Sequence, residues 1–451
     1  MDRNHALLAL VFISAFALKL FFQAQHPLIH NNDAGYYVLH INEVLRDGYP
    51  HVADPPLAFY FAALFASFTG VMLGFKIAAC LASAGIAFPV FRIAGQAGGS
   101  REAALLAAFL AAFSPTNEWM MGDLLKNMLG LFFGAWFVYF VMKAADRFSA
   151  KDAALAFLSA VLMMGSHFSS AAYVMVSVLP FLFLYPAHRF LQERRLAAEP
   201  LFCIALAFSL LAAGALVLAM KGIDPAQGKA GIIGIYGGAG LNAGFLARYA
   251  LLLAPLALGL RALERKRLLL FVPWLLATIL LAQPFFADPA WTFRFEWDAY
   301  FMVALLAAIG AGAMKDKPAF LAMAAVLAIA TLAGFLQAAQ STHPIISEEE
   351  WMGLLELHRV MPEAAFSGME GGATGYWVQA AGFPLSPEGG YLLVCGDDAG
   401  PQNEWMMGGC MSASRLPEEM MPAARERAVA EFGRFFVVRR DALPPFPRIP
   451  G

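Results

Sequence analysis

Apolar runs of roughly twenty residues, separated by short polar breaks, recur along most of the chain. Read against their breaks, they predict spans near 6–24, 76–94, 102–117, 124–142, 152–166, 168–186, 200–220, 244–261, 268–286, 297–314 and 318–338. An α-helix rises about 1.5 Å per residue, so some 20 apolar residues cross a hydrocarbon core of about 30 Å. Between the first two spans lies a further apolar stretch, Leu57–Val71, introduced by Pro55-Pro56 and closed by Thr69-Gly70. After Gln340 the pattern changes. A helical stretch at Ser347–Met361 is followed by short strand-like runs at Tyr391–Cys395 and Phe435–Val438, bounded by Gly and Pro.

The breaks alternate in charge. One set carries Arg3, Arg92, Arg101, Lys143, Arg147, Lys151, Arg189, Arg194, Arg195, Arg261, Arg265, Lys266, Arg267, Lys315 and Lys317. The other is poor in Lys and Arg, and holds Asp33, Asp54, Glu118, Asp123, His167, Asp288, Arg294 and Glu296. The positive-inside rule puts the first set in the cytoplasm and the second outside. With a cytoplasmic N-terminus this alternation works only if Leu57–Val71 lies at the interface or re-enters. Were it to cross, the acidic loop would change sides and Asp33 would be parted from Asp123.

Composition agrees with a polytopic membrane protein. Of 451 residues, 60% are hydrophobic and 14% charged, against roughly 25% charged in soluble proteins. A net charge of −2 excludes a broadly basic nucleic-acid binder. The first apolar run has no small-residue cleavage site after it and reads as a retained span, with a signal peptide as the alternative. Four cysteines are too few for a disulfide scaffold. Cys80 and Cys203 fall in apolar runs; Cys395 and Cys410 could pair only if their region faces an oxidising compartment.

The candidate chemistry concentrates in Asn31–Pro56, NNDAGYYVLHINEVLRDGYPHVADPP, where Asp33, Glu43, Asp47 and Asp54 sit beside a bilayer. Charge near lipid is costly and marks functional sites. Asp33 stands in a turn-like sequence before the amphipathic run Tyr36–Leu45; it reads either as a catalytic carboxylate or as a helix N-cap. Asp123 opens LLKNMLGLFF and has the same two readings. Lys126, three residues on, shares its helical face. Arg294, in TFRFEWDAYF, suits a phosphate with its planar fork; the alternatives are snorkelling and pairing with Glu296 or Asp298. His167 is a structural hydrogen-bonding residue or a substrate contact. The glycine-rich 221–244 loop lacks nucleotide-loop spacing. The hexapeptide NEWMMG occurs twice, at 117–122 and 403–408, with no longer repeat around it.

Several stretches resemble the GT-C superfamily of membrane glycosyltransferases. NDAGYYVLHINEVLRDGYP resembles its first external loop, where an acidic residue soon after the first span is essential. DPPLAFYF resembles the His-Pro-Pro-Leu element of protein O-mannosyltransferases, with Asp54 in place of the histidine. SPTNEWMMGDLLKNMLGLFFGAWFVYFVMKA resembles the stretch that emerges outside, places an acidic residue and re-enters; GSHFSSAAYVMVSVLP resembles the next external turn. The tryptophan-rich acceptor motif of oligosaccharyltransferase, WWDYG, is absent, and SGMEGGATGYW at 367–377 sits where a distant counterpart would fall. The match covers about residues 1–200.

The resemblance implies a GT-C-like bundle of about 11–13 transmembrane helices at 1–339, with its acidic first external loop at 25–75, and a small extracytoplasmic α/β domain at 340–451. It implies transfer of a sugar from a polyprenyl-phosphate or pyrophosphate donor to a protein, lipid or glycan acceptor at the external membrane face, with inversion. Asp33 is then the base and Asp123 a second catalytic carboxylate, with Tyr36, Asp54, Lys126, His167 and Arg294 as substrate contacts. Asp33 and Asp123 together suit a hard divalent cation, Mg or Mn, which some relatives require and others do not. Two other classes stay open: a transporter or flippase of a lipid-linked or anionic solute, and a non-catalytic assembly subunit of the same fold.

Overall fold

A computed structural model describes residues 3–30, 33–194, 197–220, 255–282, 295, 298–367, 373–386, 388–395 and 420–443. The chain is mostly helical and divides into two compact units.

The first unit comprises Met1–Lys19, Cys80–Met121 and Leu125–Ala339. Its helices are α1 (Arg3–Ala24, which runs on into the second unit), α5 (Ala87–Gln96), α6 (Arg101–Ala112), α7 (Pro115–Asp123), α8 (Leu125–Asp146), α9 (Ala150–Ser166), α10 (Phe168–Glu193), α11 (Ala198–Met220), a stretch at 255–262, α12 (Arg265–Leu281), α13 (Tyr300–Gly312) and α14 (Lys317–Ser341). Sequence sets their ends. Ser100 caps α6 by accepting from the Ala103 N–H at 3.1 Å, and Ser149 caps α9 through the Asp152 N–H at 3.1 Å. Helix α8 packs on α9, α6 on α13, and α10 on both α11 and α12. Gly310 of α13 faces Pro255 so closely that a Cβ there would collide with the Pro255 carbonyl, so the two backbones touch only because the residue is glycine.

Five described helical segments are long and apolar enough to cross a membrane: Arg3–Ala24, Val71–Gln96, Leu125–Asp146, Phe168–Glu193 and Lys317–Ser341. Other predicted spans correspond to shorter helices, such as the 12-residue α6 and 17-residue α9.

A buried ion pair links α1 and α7. Lys19 donates to Glu118 at 2.8 Å with both side chains fully buried, and the ammonium also lies 4.9 Å from the Phe335 ring centre. Asn117 donates to the carbonyls of Ser83 (3.1 Å) and Ala111 (3.0 Å), and accepts from the Ser83 hydroxyl at 2.7 Å. Met120 and Met121 are buried. The first NEWMMG copy is thus a packing and polar anchor for α7; the second lies outside the described residues.

The second unit comprises Leu20–Ala79, Gly122–Leu124 and Gln340–Gly451. It holds α2 (Ala34–Asp47), α3 (Leu57–Thr69), the start of α4 (Val71–Gly85), α15 (Glu348–Val360), α16 (Ala373–Ala380), α17 (Met421–Glu426) and strands β1 (Tyr391–Cys395), β2 (Ala428–Phe432) and β3 (Phe435–Arg439). The 13 residues of α3 reach only about 20 Å, short of a bilayer core. The strands form an antiparallel sheet of order β1-β3-β2, with Leu393 opposite Val437 and a bulge between Ala428 and Ala430. One face of it packs Leu392, Val394, Phe436 and Val438 against Ala424 and Leu443.

Helix α15 starts with a reciprocal capping box between Ser347 and Glu350. Burial alone would raise the Glu350 carboxyl, but Arg434, at 2.7 Å, and backbone N–H donors bring it below its ordinary value. Helix α2 packs on α16. The contact is close at Gly35, where a Cβ would stand 2.7 Å from the Trp377 backbone nitrogen. Cys395 is disulfide-bonded and Cys410 lies outside the described residues, while Cys80 and Cys203 are buried.

Candidate functional site

The site is built in the second unit, around the start of α2. Asp33 occupies the N-cap position and its carbonyl accepts from the Tyr37 N–H at 3.1 Å. Its side chain makes no capping hydrogen bond. One turn further on, Tyr36 is buried and donates its hydroxyl to the Asp54 carboxylate. Burial and then that bond raise the Tyr36 phenol above its ordinary range. The Tyr36 ring is the centre of an aromatic cluster, 4.5 Å from His40, 5.0 Å from Tyr376 and 5.6 Å from Phe59 between ring centres.

Tyr376, on α16, reports how the carboxylates are arranged. Burial raises its phenol first, and the negative charges of Asp33 and Asp54 add to the rise. The two aspartates therefore act on one hydroxyl. The other acidic residues of the loop serve the loop itself. Glu43 contacts the His40 ring at 2.7 Å and accepts from the His51 N–H at 2.7 Å, while Asp47 pairs with Arg46 at 2.7 Å and His51 at 3.3 Å.

A second cluster, basic and also in this unit, flanks the end of α1. Lys76 is buried and donates to the carbonyls of His26 and, at 3.3 Å, Pro27. It lines a cavity of about 340 Å³ whose other walls include Ala24, Val71, Met72 and Leu73. His26 and His30 meet edge to face at 5.1 Å, and the His30 Nδ1 lies 3.4 Å from the Thr342 hydroxyl. The His30 Nε2 is buried with no hydrogen-bond partner among the described residues. Burial, reinforced by the positive neighbours His26, Lys76 and His343, pushes the His30 imidazole down to about 3.

The remaining sequence candidates distribute as follows. Asp123 ends α7, and its backbone clusters with the unit that holds Asp33. Lys126 is half-buried in the first turn of α8, in the other unit. His167 caps α10: its Nδ1 accepts from the Ser170 N–H at 3.3 Å and lies 3.0 Å from the Ser169 hydroxyl. Arg294 lies outside the described residues. Among the described residues no three His, Cys, Asp or Glu side chains come together as a metal site. Sequence reasoning missed Tyr376, Lys76 and His26. Only Lys76 left a signal, as a lone cation in an apolar run.

Residues 53–214, less than half of the chain, match the family model of dolichyl-phosphate-mannose-protein mannosyltransferases. No curated protein sequence matches the chain. Among solved structures, ArnT from Cupriavidus metallidurans bound to undecaprenyl phosphate is similar at TM-score 0.62 and 11% identity, over 98% of this chain and 99% of that one. Its apo state gives 0.59 at 12% identity. The oligosaccharyltransferase AglB from Archaeoglobus fulgidus, in complex with an inhibitory peptide and a dolichol-phosphate, gives 0.56 at 12% identity over 83% of this chain. The chain spans 64% of that archaeal protein's length.

These likenesses define the class: a multi-pass membrane protein with the GT-C fold. They single out no one family, and the matched family and the fold neighbours are glycosyltransferases.

Proposed function

We propose that the chain is a GT-C glycosyltransferase that moves a sugar from a polyprenyl-phosphate-type donor to an acceptor hydroxyl or amide at the external membrane face, with Asp33 as the base. The observation that carries this reading is the cluster at the start of α2: Tyr36, one turn beyond Asp33, donates to Asp54, and its ring meets that of Tyr376 at 5.0 Å. Asp33 stands at the N-terminus of the helix that carries Tyr36, at the edge of this cluster.

In the step, the Asp33 carboxylate takes the acceptor's proton while the acceptor oxygen or nitrogen bonds to the sugar's anomeric carbon. The bond from that carbon to the phosphate oxygen breaks, and the phosphate leaves with the electron pair. Attack opposite the leaving group inverts the centre, so no second carboxylate is needed as a covalent partner. Positive charge must meet the departing phosphate. Lys76, at an otherwise largely apolar cavity, suits a phosphate attached to a prenyl chain. Arg294 remains a candidate for the same task, and Lys126 and His167 for contacts to the sugar or acceptor. Asp33 and Asp123 are the carboxylates that would hold a divalent cation, Mg or Mn, and no step is routed through it.

The reading is tested by offering the purified protein labelled sugars on undecaprenyl phosphate, dolichyl phosphate and nucleotides. Transfer from a polyprenyl donor is expected. Transfer from nucleotide sugars alone would overturn the donor class, and passage of labelled lipid across vesicles without a glycosidic product would overturn the reading and favour a flippase.

A further inference from the structure

Four helices carry the chain from one unit to the other, and all four meet in one buried polar cluster of the first unit. The passages fall within α1 at Lys19–Leu20, α4 at Ala79–Cys80, α7 at Met121–Gly122 and α14 at Ala339–Gln340. Lys19 of α1 binds Glu118 of α7 at 2.8 Å with both side chains fully buried, and its ammonium lies 4.9 Å from the ring centre of Phe335 on α14. Asn117 of α7 accepts from the Ser83 hydroxyl of α4 at 2.7 Å and donates to the Ser83 carbonyl at 3.1 Å. Gly334 of α14 lies so near Pro115 of α7 that a Cβ would stand 3.1 Å from the proline ring. Stability alone does not account for the ion pair. Two buried charges repay their desolvation only when their remaining lone pairs are also satisfied, and a packed apolar pair commonly does as well or better. The Glu118 Oε1 has no hydrogen-bond partner among the described residues. What a hydrogen-bonded pair adds over apolar contact is direction, which fixes the register of two helices that would otherwise slide.

We propose that Lys19 and Glu118 are positioning residues for sugar transfer: their bond holds α1 and α7 in the one register in which these helices lead to Asp33 and Asp123. The inference rests on the function proposed above. Asp33 follows α1 and Asp123 ends α7, and the backbones of both cluster with the second unit, whereas the pair itself lies wholly in the first. Asn117 and Glu118 open the first NEWMMG copy, and Asp123 is the residue after it. The hexapeptide is thus the tether of the helix that carries the second candidate carboxylate. A misplacement of about 1 Å at reacting groups costs on the order of 10²-fold in rate, so a slight slide of α7 is enough to be felt.

The test compares full-length wild type with Lys19→Met/Glu118→Leu, which replaces the pair by apolar side chains, and with Lys19→Arg, which keeps a cation for both Glu118 and the Phe335 ring. Each protein is measured for melting temperature, for kcat and KM with a polyprenyl-phosphate sugar, and for amide hydrogen exchange over residues 115–124. The apolar pair should melt near wild type yet lose kcat about 10- to 100-fold, with KM for the donor little changed and exchange faster over 115–124. Lys19→Arg should keep both kcat and the slow exchange. An apolar pair with wild-type kcat and wild-type exchange would overturn the proposal. So would a loss of kcat that only follows a fallen melting temperature, or a Lys19→Arg variant as impaired as the apolar pair. If wild type transfers no sugar, the reading of function fails by itself, and the exchange comparison still upholds or overturns the hold of the pair on α7.

Discussion

Glu118 and Asp33 are both acidic residues at the start of a helix, and both fall in the loop set read as extracytoplasmic. The molecule uses them differently. Glu118 lies in the first turn of α7, fully buried, and meets Lys19 at 2.8 Å. Asp33 is half-buried at the start of α2, makes no capping bond, and joins Asp54 in acting on Tyr376. A carboxylate beside lipid is therefore not a catalytic site by virtue of its charge. One with a dedicated buried cation is structural; one set among aromatic hydroxyls and a second carboxylate is the candidate we propose for chemistry.

The sharpest way to break this contrast is to remove one half of the buried pair. Glu118→Leu leaves Lys19 uncompensated and should cost about 3–5 kcal/mol, read as a large drop in unfolding temperature in detergent. Lys19→Met/Glu118→Leu should recover most of that loss, because a packed apolar pair dispenses with the desolvation penalty. If the double variant is no more stable than Glu118→Leu, the pair is not the structural unit described here.

Gly35→Ala should destabilise the second unit by roughly 1–3 kcal/mol, the usual cost of overpacking, because α2 and α16 would be forced apart at Trp377. Sugar transfer should fall with it, since Tyr376 is carried on α16.

A smaller effect distinguishes the basic cluster from the acidic one. The folded His30 imidazole is depressed to about 3 from an ordinary 6.5, so the unfolded chain binds the extra proton first. Its contribution is fully present above about pH 6.5 and is lost as pH falls toward 3. Melting temperature should decline over that window, and His30→Gln should flatten the decline. The smallest effect expected is that of Tyr36→Phe, which removes the hydroxyl bonded to Asp54 for about 0.5–1.5 kcal/mol and leaves the aromatic cluster standing.

What the sequence revealed of all this followed periodicity. The long spans and the β-branched or aromatic runs of β1 and β3 are legible because each pattern is local. Strand β2, AVAEF, escaped notice because Ala and Glu favour helix and its pairing depends on β3. The short α3 was foreshadowed by Pro55-Pro56 and Gly70 at its ends. Asp33 stood out by charge beside an apolar span, but its neighbours did not. Tyr376 reaches it only through α2 packing on a helix from the far end of the chain. Lys19 and Glu118 are 99 residues apart, so nothing in either neighbourhood announced that one would neutralise the other. The same distance problem explains why Asp54, singled out only through a resemblance, turns out to accept from Tyr36.

The most direct measurement compares wild type with Asp33→Asn for labelled sugar transfer from a polyprenyl-phosphate donor, alongside the melting temperature of each. Loss of the base should lower turnover by a factor on the order of 10² to 10⁴, while the melting temperature stays near that of wild type, because asparagine keeps the size and shape of the side chain. Turnover near wild type in Asp33→Asn would contradict the account.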